Sequence, residues 1–253
     1  MVHNNKNNKL DQQPMNALSV ICGFPVSNGD SEEIISNIRY RAANRFGGWV
    51  VTLNLEMLSK VNRDHSYRQL LDEADMYIAD GMPVVWASAH GKHRAAPPIK
   101  ERTTGVDIVD QLLKLEDIPR FAIIGGEQPQ KTLDLYPGAN QACRFLFDGV
   151  VDLSPSQVEH FADQIIQQKI EIVFVALGVP KQDLMAKALQ NLAPDAVYIG
   201  VGGTFQMLSA EGRRAPQWMR SSGLEWFYRL LSEPGRLWKR YLGHYPPGAL
   251  YLL

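Results

Sequence analysis

Short polar segments of this chain stand where β-branched runs give way to helix-forming residues. VVTLN sets Thr52 and Asn54 at one such change, and ADG sets Asp80 and Gly81 at another. A carboxylate at a strand mouth can take a proton from a sugar hydroxyl held within hydrogen-bond reach. Thr, Asn and Asp also cap helices well, and each of these residues fits that plainer role. ERTTG carries Arg102 and Thr104 ahead of a helical stretch. A guanidinium with hydroxyls and free backbone N–H groups suits a phosphate, although a solvated surface arginine explains the segment equally well. In ALGVPKQD, Gly178 provides a turn, Pro180 opens a helix, and Lys181 and Gln182 fall in its first turn. In GVGGTFQ, Gly202 and Gly203 let a ligand approach the backbone, and Gln206 follows them. Both segments fit a diphosphate cradle, and both fit ordinary βα turns.

The spacing of these glycines is neither a phosphate-loop signature nor GxGxxG, which sets aside a P-loop NTPase and places a dehydrogenase low. No DxD pair flanked by apolar residues and no HExxH is present, so no metal site is expected. The histidines are scattered; His90 and His93 share one loop, where a solvated role is the simpler reading.

The elements that must position these residues are legible as an alternation. ALSVICGFPV reads as a strand ending in turn residues, followed by a helix over SEEIISNIRYRAANRF capped by Ser31. GGWVVTLNL, MYIAD, PRFAIIGG, ACRFLF, EIVFVALG and AVYIGVGG read as further strands, with helix-like segments between them. Continuous β-branched runs separated by helices imply an α/β fold: a mostly parallel sheet covered on both faces. In such sheets ligands bind at the carboxyl ends of the strands, where the polar segments stand.

From about Arg213 the character changes to helical, basic and aromatic. Residues 211–253 carry seven Lys or Arg against three Glu, and hold three of the five tryptophans. Arg229, Arg236 and Arg240 follow at spacings that keep one helix face if the helix continues through Pro234-Gly235. Such a segment suits an anionic membrane surface; a helical layer packed on the core is the alternative. Nucleic acid is not an expected partner, since the net charge is -1 and no aromatic RNA-binding strand is present. The division expected is a polar disordered tail at 1–16, an α/β core at 17–212 and a helical appendage at 213–253. Cys22 and Cys143 lie in apolar runs and read as buried free thiols of a reducing compartment. The Asn-rich start lacks an apolar signal region, and no run approaches the ~20 apolar residues of a spanning helix. A cytoplasmic protein is expected, with a homo-oligomer neither required nor excluded.

Taken in order, TLN, ADG, ERTTGVD, GVPKQD, GVGGTF, RRAPQWM and GLEWFYRLLSEP resemble the WecG/TagA/CpsF glycosyltransferase family from about Leu18 to Tyr241. The resemblance implies a Rossmann-like core with a C-terminal appendage that closes the site and docks at the inner face of the cytoplasmic membrane. It implies inverting, metal-independent transfer, without a cofactor, from a UDP-sugar to a polyprenyl-diphosphate-linked saccharide in cell-surface polysaccharide or teichoic acid synthesis. By position, Asp80 is the implied base, with Thr52 and Arg102 beside it in the catalytic set. Asn54, Gly81, Thr104, Gly178, Lys181, Gln182, Gly202 and Gly203 line the substrate cleft, and Arg229, Arg236 and Arg240 meet the diphosphate. Gln206 stands where the family usually has an acidic residue, and Ala210 where it has glycine. The loop from His90 to Lys100 is longer than usual. Gln206 is the feature that favours a rival reading, a non-catalytic paralogue that binds a nucleotide sugar or lipid within an assembly complex.

Overall fold

The computed structural model describes residues 18–89, 97–209 and 245–252, with 216, 219, 227, 228, 231 and 235 singly. In chain order the elements are β1 (Leu18–Ile21), β2 (Phe24–Ser27), α1 (Ser31–Ala43), β3 (Gly48–Leu53), α2 (Leu55–Val61), α3 (His65–Leu71) and β4 (Met76–Ala79). Next come α4 (Met82–Ala89), α5 (Gly105–Leu113), β5 (Phe121–Gly125), α6 (Pro129–Leu133), α7 (Ala139–Ala142) and β6 (Cys143–Phe147). The series continues with α8 (Pro155–Gln167), β7 (Ile172–Ala176), α9 (Lys181–Leu192), β8 (Val197–Gly200) and α10 (Thr204–Ser209), and α11 (Tyr245–Leu252) follows near the end of the chain.

The strands form one eight-stranded sheet in the order β1-β2-β4-β3-β8-β7-β5-β6. Every pairing from β2 to β6 is parallel, and β1 alone runs antiparallel at the edge. The expected α/β sheet is therefore present, with helices on both faces. Strands β3, β5, β7 and β8 are buried throughout. That is why they read as unbroken β-branched runs rather than as an alternation. Helices α1, α5, α6, α7 and α10 pack one apolar layer, and α2, α3, α4, α8, α9 and α11 pack the other.

Three local readings are corrected. ALSVICGFPV is a hairpin, because Cys22 and Gly23 both take positive φ (51° and 83°) and make a tight two-residue turn. Arg68 secures the turn: its Nη1 donates to Cys22 O at 2.6 Å, and its guanidinium lies 4.0 Å from the Phe24 ring centre. Helix α1 is capped by Asp30, one residue before Ser31. The Asp30 carboxylate accepts from Glu33 N at 2.9 Å while the Glu33 carboxylate accepts from Asp30 N at 3.0 Å. Cys143 is half-buried, because β6 is the far edge strand; Cys22 is buried, and both thiols are free.

No helix among the described residues is long and apolar enough to cross a membrane. The tail at 1–16 and most of the basic, Trp-rich stretch, with Arg229, Arg236 and Arg240, lie outside the described residues.

Candidate active site

Because the sheet is parallel, its strands end together. The sequence-selected residues follow those ends across the sheet: Asp80 and Gly81 after β4, Thr52 and Asn54 at the end of β3, and Gly202 and Gly203 after β8. Gly178, Lys181 and Gln182 follow β7. Asp80 is half-buried, and its N–H donates to Leu53 O at 2.9 Å, which continues the β3–β4 ladder by one residue. This fixes the backbone from which the carboxylate leaves the sheet.

One connection crosses this carboxyl edge, taking the chain from α4 on one face to α5 on the other. It is pinned to successive strand ends. Ser19 Oγ donates to Pro97 O at 2.7 Å, and Lys100 N donates to the buried Asn28 Oδ1 at 3.0 Å. Thr103 N then donates to Ala79 O at 3.1 Å, immediately before Asp80. Thr103 is fully buried, with its hydroxyl 3.1 Å from Ser31 Oγ. A Cβ on Gly105 would lie 3.2 Å from Val201 Cα, so the start of α5 packs directly on the turn after β8. The loop therefore carries Arg102 and Thr104 onto the same edge as Asp80, twenty or more residues distant in sequence.

Several of the selected residues also have structural partners. Thr52 Oγ1 donates to Gly200 O at 2.8 Å and braces β3 against β8. Asn54 caps α2, its Oδ1 accepting from Glu56 N at 3.0 Å and Met57 N at 3.1 Å. Thr104 caps α5 in a reciprocal box with Asp107. The plainer cap reading of Asn54 is thus correct as far as it goes; Thr104 is a cap as well, and capping holds both at the mouth. Gln182 is buried, and its Oε1 accepts from Gly202 N at 3.2 Å. Gly200 leaves room for that amide, since a Cβ there would lie 2.8 Å from Gln182 Nε2. Gly202 takes φ +52°, which a glycine adopts without strain. Beyond it, among the described residues, no atom other than those of the glycine and its chain neighbours lies within 4 Å of a Cβ built on Gly178 or Gly203.

Lys181 is half-buried at the start of α9. Asp152 is held below the ordinary carboxylate range, chiefly by the Ser154 N–H at 2.8 Å, with the Lys181 charge a lesser contributor. Gln206 is half-buried on α10, whose Phe205 packs beneath Gly126. Among the described residues no three His, Cys, Asp or Glu side chains come together. A cavity of about 430 Å³ lies at the opposite, amino end of the strands, between Arg45, Ile166, Lys169, Leu192 and Asp195. Two N–H groups of Arg45 are already spent there on the Lys169 and Ile170 carbonyls.

Sequence reasoning missed Asp183, which follows Gln182 and is 1% exposed. Tyr67 Oη donates to its Oδ2 at 2.7 Å, and Oδ1 makes no hydrogen bond of good geometry among the described residues. Burial pushes the Asp183 carboxyl up to about 7, with Glu56 adding to the rise, against the opposing hydrogen bonds of Tyr67 and Gln182. Burial likewise raises Tyr67 far above its usual range, with Asp183, Glu56 and Asp64 adding to the shift, while Lys60 lies 5.4 Å from its ring centre.

The linkage has a definite sign. A buried acid with a raised pKa destabilises the fold where the unfolded chain is ionised. The penalty is absent below about pH 4, grows towards pH 7 and is full above it. Asp183→Asn is therefore expected to raise the melting temperature at pH 8, with a ceiling of roughly 4 kcal/mol from about 1.4 kcal/mol per pKa unit. The gain should vanish by pH 4 in a series of thermal melts; a gain independent of pH would show that Asp183 is ionised throughout.

The family model described as "Glycosyl transferase WecG/TagA/CpsF family" matches residues 19–253, nearly the whole chain. With that match over nearly its whole length and with its α/β sheet, the chain belongs to the WecG/TagA/CpsF family of glycosyltransferases.

Proposed function

We propose that the protein transfers a hexose or N-acetylhexosamine from a UDP-sugar to a polyprenyl-diphosphate-linked saccharide, with inversion and without a metal. The observation that carries this reading is the pinned loop, which brings Arg102 to the strand end that bears Asp80, while among the described residues Gly178 and Gly203 have open space beside them further along the same edge. In this reading the acceptor lies over β4 and β3 and the donor over β8 and β7.

Asp80 takes the proton of the acceptor hydroxyl as its oxygen forms a bond to the anomeric carbon. The bond from that carbon to the diphosphate breaks on the opposite face, and UDP departs with the electron pair. One base and one displacement give inversion. Charge growing on UDP is met by arginine and by backbone N–H groups, donors whose effect is largest away from bulk water. Arg229, Arg236 and Arg240 are assigned this task by family position, while Arg102, on the loop beside Asp80, meets the phosphates of the acceptor. The basic, aromatic stretch after Arg213 places the enzyme on the anionic inner face of the cytoplasmic membrane, where a polyprenyl acceptor is anchored.

A donor panel tests the reading. Several UDP-sugars are offered with a short-chain polyprenyl-diphosphate saccharide in anionic vesicles, with and without EDTA, and UDP release and co-sedimentation are followed. Release with one donor, unchanged by EDTA, and sedimentation that rises with anionic lipid are expected. Tight UDP-sugar binding without release from any pair would favour the non-catalytic alternative to which Gln206 points.

A further inference from the structure

The mechanism leaves one buried polar network unused. It begins at Tyr67 on α3, passes through Asp183 in the first turn of α9, and reaches Gln182 and the turn after β8. Its two hydrogen bonds run 2.7 Å from Tyr67 Oη to Asp183 Oδ2 and 3.2 Å from Gly202 N to Gln182 Oε1, and the chain itself joins them. Gln182 and Asp183 are adjacent in sequence, so fixing one sets the helical phase from which the other projects. Gln182 and Asp183 are 3% and 1% exposed and Tyr67 is 3% exposed, so water does not substitute for a lost partner.

A purely structural network would be simpler in apolar residues, since a buried carboxyl costs more than it returns unless its position matters. What this one adjoins is the Gly200–Gly203 turn. Gly200 tolerates no Cβ without moving the Gln182 amide, Gly202 is in the left-handed region, and among the described residues Gly203 has open space beside it. Thr52 holds the turn at Gly200 and Thr204 at Val201, while at Gly202 it is held by the Gln182 amide, which projects from the helical turn that Tyr67 anchors through Asp183.

We propose that Asp183, anchored by Tyr67, is a positioning residue that fixes Gln182 under the Gly200–Gly203 turn and so sets the shape of the donor side of the site. The inference rests on the assignment of that side to the UDP-sugar. It separates donor from acceptor: the acceptor loop is pinned by its own hydrogen bonds to Asn28 and Ala79 and meets this turn only where Gly105 packs on Val201.

The test compares Tyr67→Phe, Asp183→Leu and Asp183→Asn in the full chain, with two readouts. Amide exchange at Gly202 reports the turn without any ligand, and steady-state transfer separates donor KM, acceptor KM and kcat. Tyr67→Phe and Asp183→Leu are expected to speed Gly202 exchange about tenfold and raise donor KM by a similar factor, with acceptor KM unchanged. Asp183→Asn, which keeps an acceptor oxygen for Tyr67, should stay near wild type in both. Gly200→Ala reaches the same turn from the other side and should reproduce the donor KM effect.

Unchanged Gly202 exchange in Tyr67→Phe, or equal rises in donor and acceptor KM, would overturn the proposal. Should Asp183→Leu fail to fold, Tyr67→Phe and Gly200→Ala decide. A wild-type protein that neither binds UDP nor transfers sugar would sink the functional reading alone, because Gly202 exchange still decides whether the network holds the turn.

Discussion

Asp80→Asn is expected to lower kcat by about 10²–10⁴-fold while donor KM stays within a few-fold of wild type. The substitution keeps the size of the side chain and removes its ability to accept a proton at neutral pH. The backbone beneath it is unaffected, since the Asp80 N–H bond to Leu53 O and the neighbouring Thr103 N bond to Ala79 O are main-chain contacts. Loss of activity with an unchanged melting temperature and unchanged UDP binding would therefore report chemistry rather than folding. The expected signature is a fall in kcat and kcat/KM together, as for a group that acts only in the transition state. Activity within tenfold of wild type would place the base elsewhere, and Asp80 would then be only the polar end of β4.

What the sequence made legible, and what it hid, divides by the range of the interaction. The parallel sheet was readable because strands buried on both faces are apolar at nearly every position, with Thr52 in β3 bonded to Gly200 O as an exception, and VVTLN and EIVFVALG carry that signal locally. The mouth of the site was readable for the same reason, as the first polar residue after such a run stands at the strand end. The hairpin at Cys22-Gly23 was hidden because only glycine advertises a positive φ, whereas Cys22 at 51° does not. Asp30 and Ser31 are both good caps, and the choice between them turned on Glu33, three residues beyond Asp30. No pattern pairs Tyr67 with Asp183, 116 residues apart, nor Asn28 with the loop at Lys100, 72 residues apart. These contacts exist only once the sheet has brought α3 to α9 and β2 beside the crossing loop. The site's types were thus local information, and its bracing was tertiary.

The C-terminal helix offers the second large effect, through Gly248. Glycine costs about 1 kcal/mol against alanine inside a helix, so its place within α11 calls for a gain elsewhere. The gain is close approach: Gly248 is buried, and a Cβ there would overlap the Leu55 carbonyl oxygen and sit 3.1 Å from Leu55 C. Leu55 opens α2 directly after Asn54, at the β3 end of the mouth, and α11 packs on α2 and α4 with Leu252 buried between them. Gly248→Val should push α11 away from this edge. Overpacking of this kind costs about 1–3 kcal/mol, which lowers the melting temperature by roughly 2–12 °C at this chain length. Transfer should fall by about tenfold or more, because every 1.4 kcal/mol of misplacement is tenfold and the α2 cap at Asn54 moves with the helix. Gly248→Ala, with its single methyl, should fall between wild type and Val in both readouts. Faster amide exchange in α2 but not in α5, on the other face of the sheet, would locate the disturbance at the α11 contact. Melting and transfer both unchanged in Gly248→Val would mean that α11 does not bear on the site, and the role of the appendage would have to rest on the basic stretch that precedes it.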